Sequence, residues 1–370
     1  MLNKVSVRAL LVASVLGCAS LVGCSSTAVN VNDSTGGAAG AGGSVGGTSG
    51  SGASASGGSA GSSGSAASGG SSGSGGSASG GSAGAGGSSG GSAGAGGAFP
   101  CDTAAAWGTP YKIDGVNSAS HESRAWLSEN RLEIYFGSAR GLNGGSPTGD
   151  FHFHLFHASR DLPTGAFKTP DPLPTAINSN NADAPWFSAD GKTLYFSRQL
   201  SSHWDIFSAD WANQAALDPK GVPDLNDTTY SDWMGSFVSD ASLIYFSSER
   251  IGGGDLFVAS AAANGGFDPP KALDALNSTT ANDANPVAHG AQTLYFSSDR
   301  SFPGAKGSSD IYVARASGAA TGFDSIELVE ELNSPLRDVP SWVSADGCTM
   351  ILNSARDGDW NLYFAEKPKL

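Results

Sequence analysis

The sequence predicts an all-β fold, a five-bladed β-propeller, for the C-terminal part of this 370-residue chain. The main evidence is a short apolar run, rich in Tyr and Phe, that recurs five times and is centred on Tyr135, Tyr195, Tyr245, Tyr295 and Ile351. Each run ends in small polar residues, which is typical of a buried strand that enters a turn. Four predicted strands accompany each copy, and four-stranded units at such a period are the pattern of propeller blades.

Residues 1–23 have the composition of a lipoprotein signal peptide. Lys4 and Arg8 supply a basic start, and the apolar run that follows is too short to span a bilayer. Residues 21–24, Leu-Val-Gly-Cys, resemble the bacterial lipobox, and this resemblance implies that Cys24 becomes the lipidated first residue of the mature chain. An ordinary cleaved signal peptide is the alternative. We therefore expect an exported protein, held by its lipid at the outer membrane or the cell surface.

Residues 24–98 are predicted to be a disordered tether. From residue 34 to residue 97 the chain is almost wholly Gly, Ser and Ala, and it carries no charge and no aromatic side chain. Such a segment cannot bury enough apolar surface to offset the entropy lost on ordering. A Gly/Ser coil of about 65 residues has a root-mean-square reach on the order of 45 Å. The tether would lift a domain off a membrane, and a glycosylated stalk is the alternative.

Residues 99–370 form the predicted β-propeller domain, in which each Tyr/Phe run is the second strand of a unit. A first apolar strand precedes it, and in two units a Ser-Ala-Asp-Gly turn joins the two strands, at residues 188–191 and 344–347. Asp-Gly is typical of a tight hairpin. A third strand follows, and a weaker fourth strand runs up to a recurring asparagine, namely Asn178, Asn226, Asn277 and Asn333.

Three segments of this unit resemble the WD-like repeat of TolB-type β-propellers. They are the Ser-Ala-Asp-Gly turn, the Leu-Tyr-Phe-Ser-Ser-Asp-Arg strand at residues 294–300 and the Asp-Ile-Tyr strand at residues 310–312. Single copies of such a motif are weak evidence, but this chain holds five in register. The resemblance covers nearly all of the domain, and it implies a module that binds protein partners in the cell envelope.

The two ends of the domain are predicted to meet in one blade. Residues 107–118 repeat the pattern of a fourth strand before the first complete unit begins, and the chain ends after the third strand of its last unit. We therefore expect the N-terminal strand to complete the C-terminal blade, which closes the ring without an open edge.

The net charge restricts the class of partner, and the expected export bears on the oxidation state of the cysteines. The formal charge is −14, and it becomes −16 when the two basic residues of the signal are removed. An acidic propeller argues against nucleic acid and against direct contact with an anionic membrane, so only the lipid would reach the membrane. Outside the signal the cysteines are Cys101 and Cys348, which are expected to form a disulfide in an exported protein. Two free thiols are the alternative.

An acidic residue recurs shortly before the first strand of every unit. The five residues are Glu122, Asp183, Asp232, Asp283 and Asp338. If the first strands line a central channel, these acids would ring its mouth and bind a ligand, with calcium as the cation that oxygen ligands favour. The alternative is that each acid caps its own loop by accepting backbone hydrogen bonds.

The function that this pattern favours is a non-catalytic binding module for an envelope protein or another envelope ligand. No phosphate loop, zinc-protease helix or nucleophile elbow is present, and no cofactor is expected other than the calcium considered above. One alternative is a glycosidase-like enzyme with catalytic carboxylates in the channel. A structural surface protein is a further alternative. The recurring Trp126, Trp186 and Trp342 are predicted to pack between blades rather than to stack on sugars.

Overall fold

The structure is a computed structural model that describes residues 100–142, 152–212, 215–238, 242–263, 265–318 and 322–370. The predicted signal peptide, the lipidated Cys24 and the tether lie outside the described residues. Twenty strands form five antiparallel four-stranded sheets, and each sheet is one blade. Within the described part of the chain, a 3₁₀ helix occupies Glu330–Leu332. The all-β, five-bladed architecture predicted from the repeat is therefore confirmed.

The strands follow the chain from blade to blade. The first blade holds β2 (Glu122–Leu127), β3 (Glu133–Ser138), β4 (His154–Ser159) and β5 (Asp171–Pro172). The second holds β6 (Ala182–Phe187), β7 (Thr193–Leu200), β8 (His203–Ala212) and β9 (Ala215–Gly221). The third holds β10 (Asp232–Phe237), β11 (Leu243–Ser248), β12 (Asp255–Ser260) and β13 (Lys271–Ala272). The fourth holds β14 (Asp283–His289), β15 (Thr293–Ser298), β16 (Asp310–Ala316) and β17 (Phe323–Leu328). The fifth holds β18 (Asp338–Val343), β19 (Thr349–Ser354), β20 (Asn361–Glu366) and the N-terminal β1 (Tyr111–Lys112).

The chain ends close the ring as the repeat predicted. Strand β1 pairs antiparallel with β20, where Tyr111 lies opposite Phe364. Cys101 lies buried at the same seam and is bonded to Cys348 in the β18–β19 turn, with Cα atoms 5.8 Å apart. The first strands of successive blades contact one another all the way round, from β2 through β6, β10 and β14 to β18 and back to β2. No blade edge is left open at the seam, which removes the weak point of an open sheet.

The second strand of each blade supplies the core because it is covered on both faces by neighbouring blades. In four blades the Phe of the Tyr/Phe run is completely buried, as seen for Phe136, Phe196, Phe246 and Phe296. The side chains of Trp186 and Trp342 are buried, and the Trp126 ring lies 4.7 Å from the Phe187 ring of the next blade. These three tryptophans therefore pack between blades, as predicted, and do not form a sugar platform.

The recurring asparagines extend the outer side of each blade by imitating a strand. The Asn277 side chain accepts a hydrogen bond from the backbone N–H of Leu256 at 2.8 Å and donates one to its carbonyl at 3.1 Å. Asn117 makes the same two bonds to Leu362 across the seam. An amide side chain carries both a donor and an acceptor, so it can replace a backbone pair where the strand ends. The shared role explains why Asn recurs at this position of the unit.

Candidate functional site

Four of the five recurring acids are held by an arginine of their own blade. The pairs are Glu122–Arg140, Asp232–Arg250, Asp283–Arg300 and Asp338–Arg356, and all four acids are completely buried. In each case the other oxygen of the carboxylate accepts a hydrogen bond from a backbone N–H in the loop that precedes the strand. These contacts are the ones expected if each acid caps its own loop. We call these four pairs the blade clamps.

The clamp of the fourth blade shows how completely the charges are satisfied. Asp283 Oδ2 accepts the N–H of Ser278 at 2.6 Å, and Oδ1 accepts the Arg300 guanidinium. Arg300 also donates from Nε to Ser298 at 2.9 Å and from Nη2 to the Leu276 carbonyl at 2.5 Å. The guanidinium carbon lies 5.1 Å from the centre of the Phe296 ring. The clamp ties the incoming loop, the first strand and the second strand of one blade together, and the carboxylate keeps no oxygen free for a ligand.

The second blade departs from this pattern by one residue. Ala182 lies opposite Arg198 where the other blades place the clamp acid, so Asp183 is the following residue of the strand and points to the opposite side. Arg198 still lies over two aromatic rings, but its buried Nε has no hydrogen-bond partner in the structure. Asp183 therefore belongs to the channel and not to a blade clamp.

Asp183 occupies a niche that Gly137 leaves open in the neighbouring blade. A Cβ atom at Gly137 would lie 2.4 Å from Asp183 Oδ1, so only glycine leaves room for the carboxylate. Oδ2 accepts a hydrogen bond from the Ser123 hydroxyl at 2.8 Å, whereas Oδ1 is buried without a hydrogen-bond partner of normal geometry. Burial raises the pKa of Asp183, and the positive charge of Arg124 opposes that rise.

A cavity of about 320 Å³ lies at the mouth of the central channel, where the first strands begin. Its described lining comes from all five blades and comprises Ser123, Arg124, Phe153, Asn181, Asp183, Gln199, Trp204, Trp233, Asn285, Arg337, Val339 and Trp360. We call this cavity the channel mouth. Three of the eight tryptophans of the chain and two arginines meet there, so aromatic rings and positive charge are concentrated in one place on an acidic protein.

Arg124 and Arg337 carry the positive charge of the channel mouth. Arg124, on β2, donates to the carbonyl of Met234 on β10 at 2.8 Å, so it reaches from the first blade to the third. The guanidinium carbon of Arg337 lies 5.2 Å from the centre of the Trp360 ring, and no acid of the described residues is ion-paired with it. Desolvation lowers the pKa of both arginines. This holds for Arg337 although its side chain is exposed, and the negative charge of Asp299 opposes the shift there. Both side chains stay charged because guanidinium groups do not deprotonate in proteins.

The indole N–H groups of the channel mouth are hydrogen-bond donors without an acceptor within the described residues. The side chains of Trp204, Trp233 and Trp360 are each partly exposed, and none of their N–H groups donates a hydrogen bond within the described residues. The backbone is bent beside them, because Ala184 and Asn285 adopt positive φ values of 54° and 56° where β6 and β14 bulge. Left-handed backbone at non-glycine residues is strained and is enriched at binding sites.

The other predicted site residues, Cys101 and Cys348, lie away from the channel mouth and form the disulfide at the seam. Two histidines flank Phe153 of the lining: the rings of His152 and His154 lie 5.2 Å apart, and burial lowers the pKa of His154. Among the described residues, no group of three or more His, Cys, Asp or Glu side chains could hold a metal ion. The described part of the chain contains no helix that is long and apolar enough to cross a membrane.

Sequence reasoning overlooked most of the channel mouth. It found Asp183, but it did not single out Arg124, Arg337, Trp204, Trp233 or Trp360. Trp204 and Trp360 share one position, directly before the third-strand Asp or Asn, but in only two blades, and the other three residues do not recur, so a search for positions shared by every blade passes over them. The available signal was bulky or charged residues at the starts of first and third strands that differ among the blades.

Comparison with known proteins yields similar folds and no family. No family model matches the chain, and no curated protein matches it. Solved structures similar to this chain include a protein described as TolB from Agrobacterium tumefaciens, with 15% identity, coverage of 66% of this chain and 74% of the other, and a TM-score of 0.39. TolB from Acinetobacter baumannii shows 12% identity, 69% and 56% coverage, and a TM-score of 0.40.

The similar structures also include a protein with a different description. A protein described as a glycoside hydrolase from Parabacteroides distasonis shows 10% identity, 71% and 92% coverage, and a TM-score of 0.46. Similarity at these levels transfers no activity to this chain. The five-bladed fold is instead established by the strand pairing of the chain itself.

Proposed function

We propose that this protein is an exported, lipid-anchored binding module that takes a component of the cell envelope at its channel mouth. The lipid on Cys24 would hold the chain at the outer membrane or the cell surface, and the Gly/Ser/Ala segment would let the propeller reach its partner. The propeller itself would do no chemistry on that partner. TolB-like propellers suggested such a role at the level of the sequence pattern.

The observation that carries this proposal is the unpaired binding capacity of the channel mouth. Elsewhere the blade clamps satisfy their charges internally, whereas Arg337 has no ion-paired acid and three indole N–H groups have no acceptor within the described residues. A concave site with aromatic walls and a few convergent polar groups is the usual form of a ligand site. A purely structural surface protein has no need of such a cavity.

The lining favours binding over glycoside hydrolysis. Hydrolysis of this kind generally uses two carboxyl groups on opposite sides of the scissile bond. In the part of the chain that the structure describes, Asp183 is the one carboxylate of the channel mouth, and one of its oxygens accepts a hydrogen bond from Ser123. The remaining acids of the predicted ring are enclosed in blade clamps. These contacts support a module that holds its ligand without cleaving it.

The proposal is tested by capture with the full-length protein. Wild type and a Trp233→Ala variant are immobilised and exposed to an envelope extract of the producing organism, and retained proteins and small molecules are identified by mass spectrometry. Leu162→Ala is the control, because Leu162 is an exposed apolar side chain outside the channel mouth. We expect at least one component that wild type and the control retain and Trp233→Ala loses. Equal retention by all three proteins would place the binding surface elsewhere.

A further inference from the structure

The hydrogen-bonding groups of the channel mouth define a class of ligand. Unpaired donors outnumber unpaired acceptors, because neither the Arg337 guanidinium nor the indole N–H groups of Trp204, Trp233 and Trp360 donate a hydrogen bond within the described residues. On the acceptor side, Asn285 offers one side-chain oxygen, since its amide nitrogen is bonded to Ser297, and the buried Oδ1 of Asp183 is a second acceptor without a partner. A donor-rich cavity suits a ligand with many oxygen acceptors.

The charge of the channel mouth selects an anionic ligand. The mature chain is strongly acidic, so an anion would be repelled by the protein as a whole and attracted only where positive charge is concentrated. Asp183 partly balances Arg124. Asp299 acts on Arg337 from a distance, but Arg337 stacks on Trp360 and forms no salt bridge in the described residues. A stacked guanidinium presents a planar fork of donors, which matches the two oxygens of a carboxylate.

The walls of the channel mouth favour a sugar ring as the carrier of that carboxylate. A pyranose ring has oxygen acceptors around its edge and apolar C–H faces that pack against indole rings. An acidic peptide would also bring a carboxylate, but any aliphatic side chains that it carried would find few partners in this lining. Apart from the tryptophans, the apolar side chains of the described lining are Phe153 and Val339. A cavity of about 320 Å³ has room for one or two sugar units.

We propose that the channel mouth binds a carboxylated sugar of the uronic acid class, with its carboxylate on Arg337 and its ring against the tryptophans. This inference rests on the proposed function, since it names the ligand of the same site. Arg124 would supply a second positive charge to the site, and its hydrogen bond to the Met234 carbonyl would hold its side chain in place.

The test compares two probes that differ only at the carboxylate. Binding of methyl glucuronide and methyl glucoside to the full-length protein is measured by calorimetry and by tryptophan fluorescence. Hydrogen bonds to a charged group contribute about 1.5–3 kcal/mol, so wild type should prefer the glucuronide by at least about tenfold. Arg337→Gln should reduce this preference to within about twofold while binding of the neutral glucoside persists. Arg337 is exposed, so its replacement should leave the fold intact.

The matched control is Arg315→Gln, which removes an exposed arginine on β16 that faces Glu327 at 3.6 Å outside the channel mouth. This variant should keep the full preference for the glucuronide.

The inference would be overturned if wild type bound both probes equally, if it bound neither, or if the preference survived in Arg337→Gln. If a short peptide with a free carboxylate binds in their place and loses affinity in Arg337→Gln, the ligand is an acidic peptide and the sugar class is wrong. The proposed function is tested separately by the capture experiment, and it fails if no envelope component requires Trp233 for its retention.

Discussion

The blade clamps make a quantitative prediction for Asp283→Asn. The Asp283 carboxylate is completely buried, and the change removes its negative charge while Arg300 stays in place. Breaking a buried ion pair from one side costs about 3–5 kcal/mol, because the remaining charge is left without compensation. Arg300 keeps hydrogen bonds to Ser298 and to the Leu276 carbonyl, and 14% of its side chain is exposed. We therefore expect the low end of that range, a loss of about 3 kcal/mol in the free energy of unfolding.

The assay is equilibrium unfolding of the full-length protein by heat and by urea. For a domain of this size, 1 kcal/mol corresponds to about 2–4 °C, so the melting temperature should fall by roughly 6–12 °C. The control is Asp161→Asn, which removes an exposed carboxylate paired with Lys168 at the surface. A surface ion pair of this kind contributes little, so the control should change stability by less than about 0.5 kcal/mol.

The same experiment decides between a loop-capping role and a calcium ring. Asp232→Asn and Asp338→Asn lie in separate clamps, so their losses should add within about 0.5 kcal/mol in the double variant. Millimolar calcium should not raise the melting temperature of wild type, because the clamp carboxylates have no oxygen free. If Asp283→Asn costs no more than Asp161→Asn, or if calcium stabilises wild type and not Asp283→Asn, the clamp reasoning is refuted.

Four further predictions concern the anchor, the seam and the niche beside the channel. Cys24→Ser should abolish membrane association, and a variant that still partitions with membranes and incorporates labelled fatty acid would exclude the lipobox. Deletion of residues 107–118 should unfold the propeller, since it removes the strand that pairs with the last blade; circular dichroism of a folded deletion variant would contradict the closed ring. Mass spectrometry without reductant should find Cys101 joined to Cys348, and two free thiols would contradict the disulfide. Gly137→Ala should lower stability by about 1–3 kcal/mol, because the new Cβ would overlap the channel carboxylate, and an unchanged urea midpoint would argue against the niche.

The architecture could be predicted because it depends on features that every unit shares. A buried Tyr/Phe strand, a Ser-Ala-Asp-Gly turn and a bridging Asn recur, and each has a local physical reason to recur. Gly191 and Gly347 adopt φ values of 69° and 68°, as the hairpin of that turn requires. The ring closure followed from counting strands, since a lone fourth strand such as the one ending at Asn117 has no other sheet to join.

The candidate site could be predicted only in part, because the side of a strand on which a residue lies changes with every step. Asp183 and Asp283 lie at the same distance before their Tyr/Phe runs, yet one faces the channel and the other enters a clamp. The first strands also bulge, which shifts the register within a few residues of these acids. The arginine partner was visible in the repeat at Arg300, but its pairing with an acid 17 residues earlier is a property of the folded blade.

The place where the repeat fails is the place where function is most reasonably sought. In four blades an acid and an arginine satisfy each other, so those charges serve the blade alone. In the second blade the acid is replaced by Ala182, and the carboxylate appears one residue later in a niche that depends on Gly137. This arrangement leaves the Arg198 Nε and one oxygen of Asp183 buried without partners, which stability alone would not favour. Local departures from otherwise consistent rules are expected at functional sites, and this one borders the channel mouth.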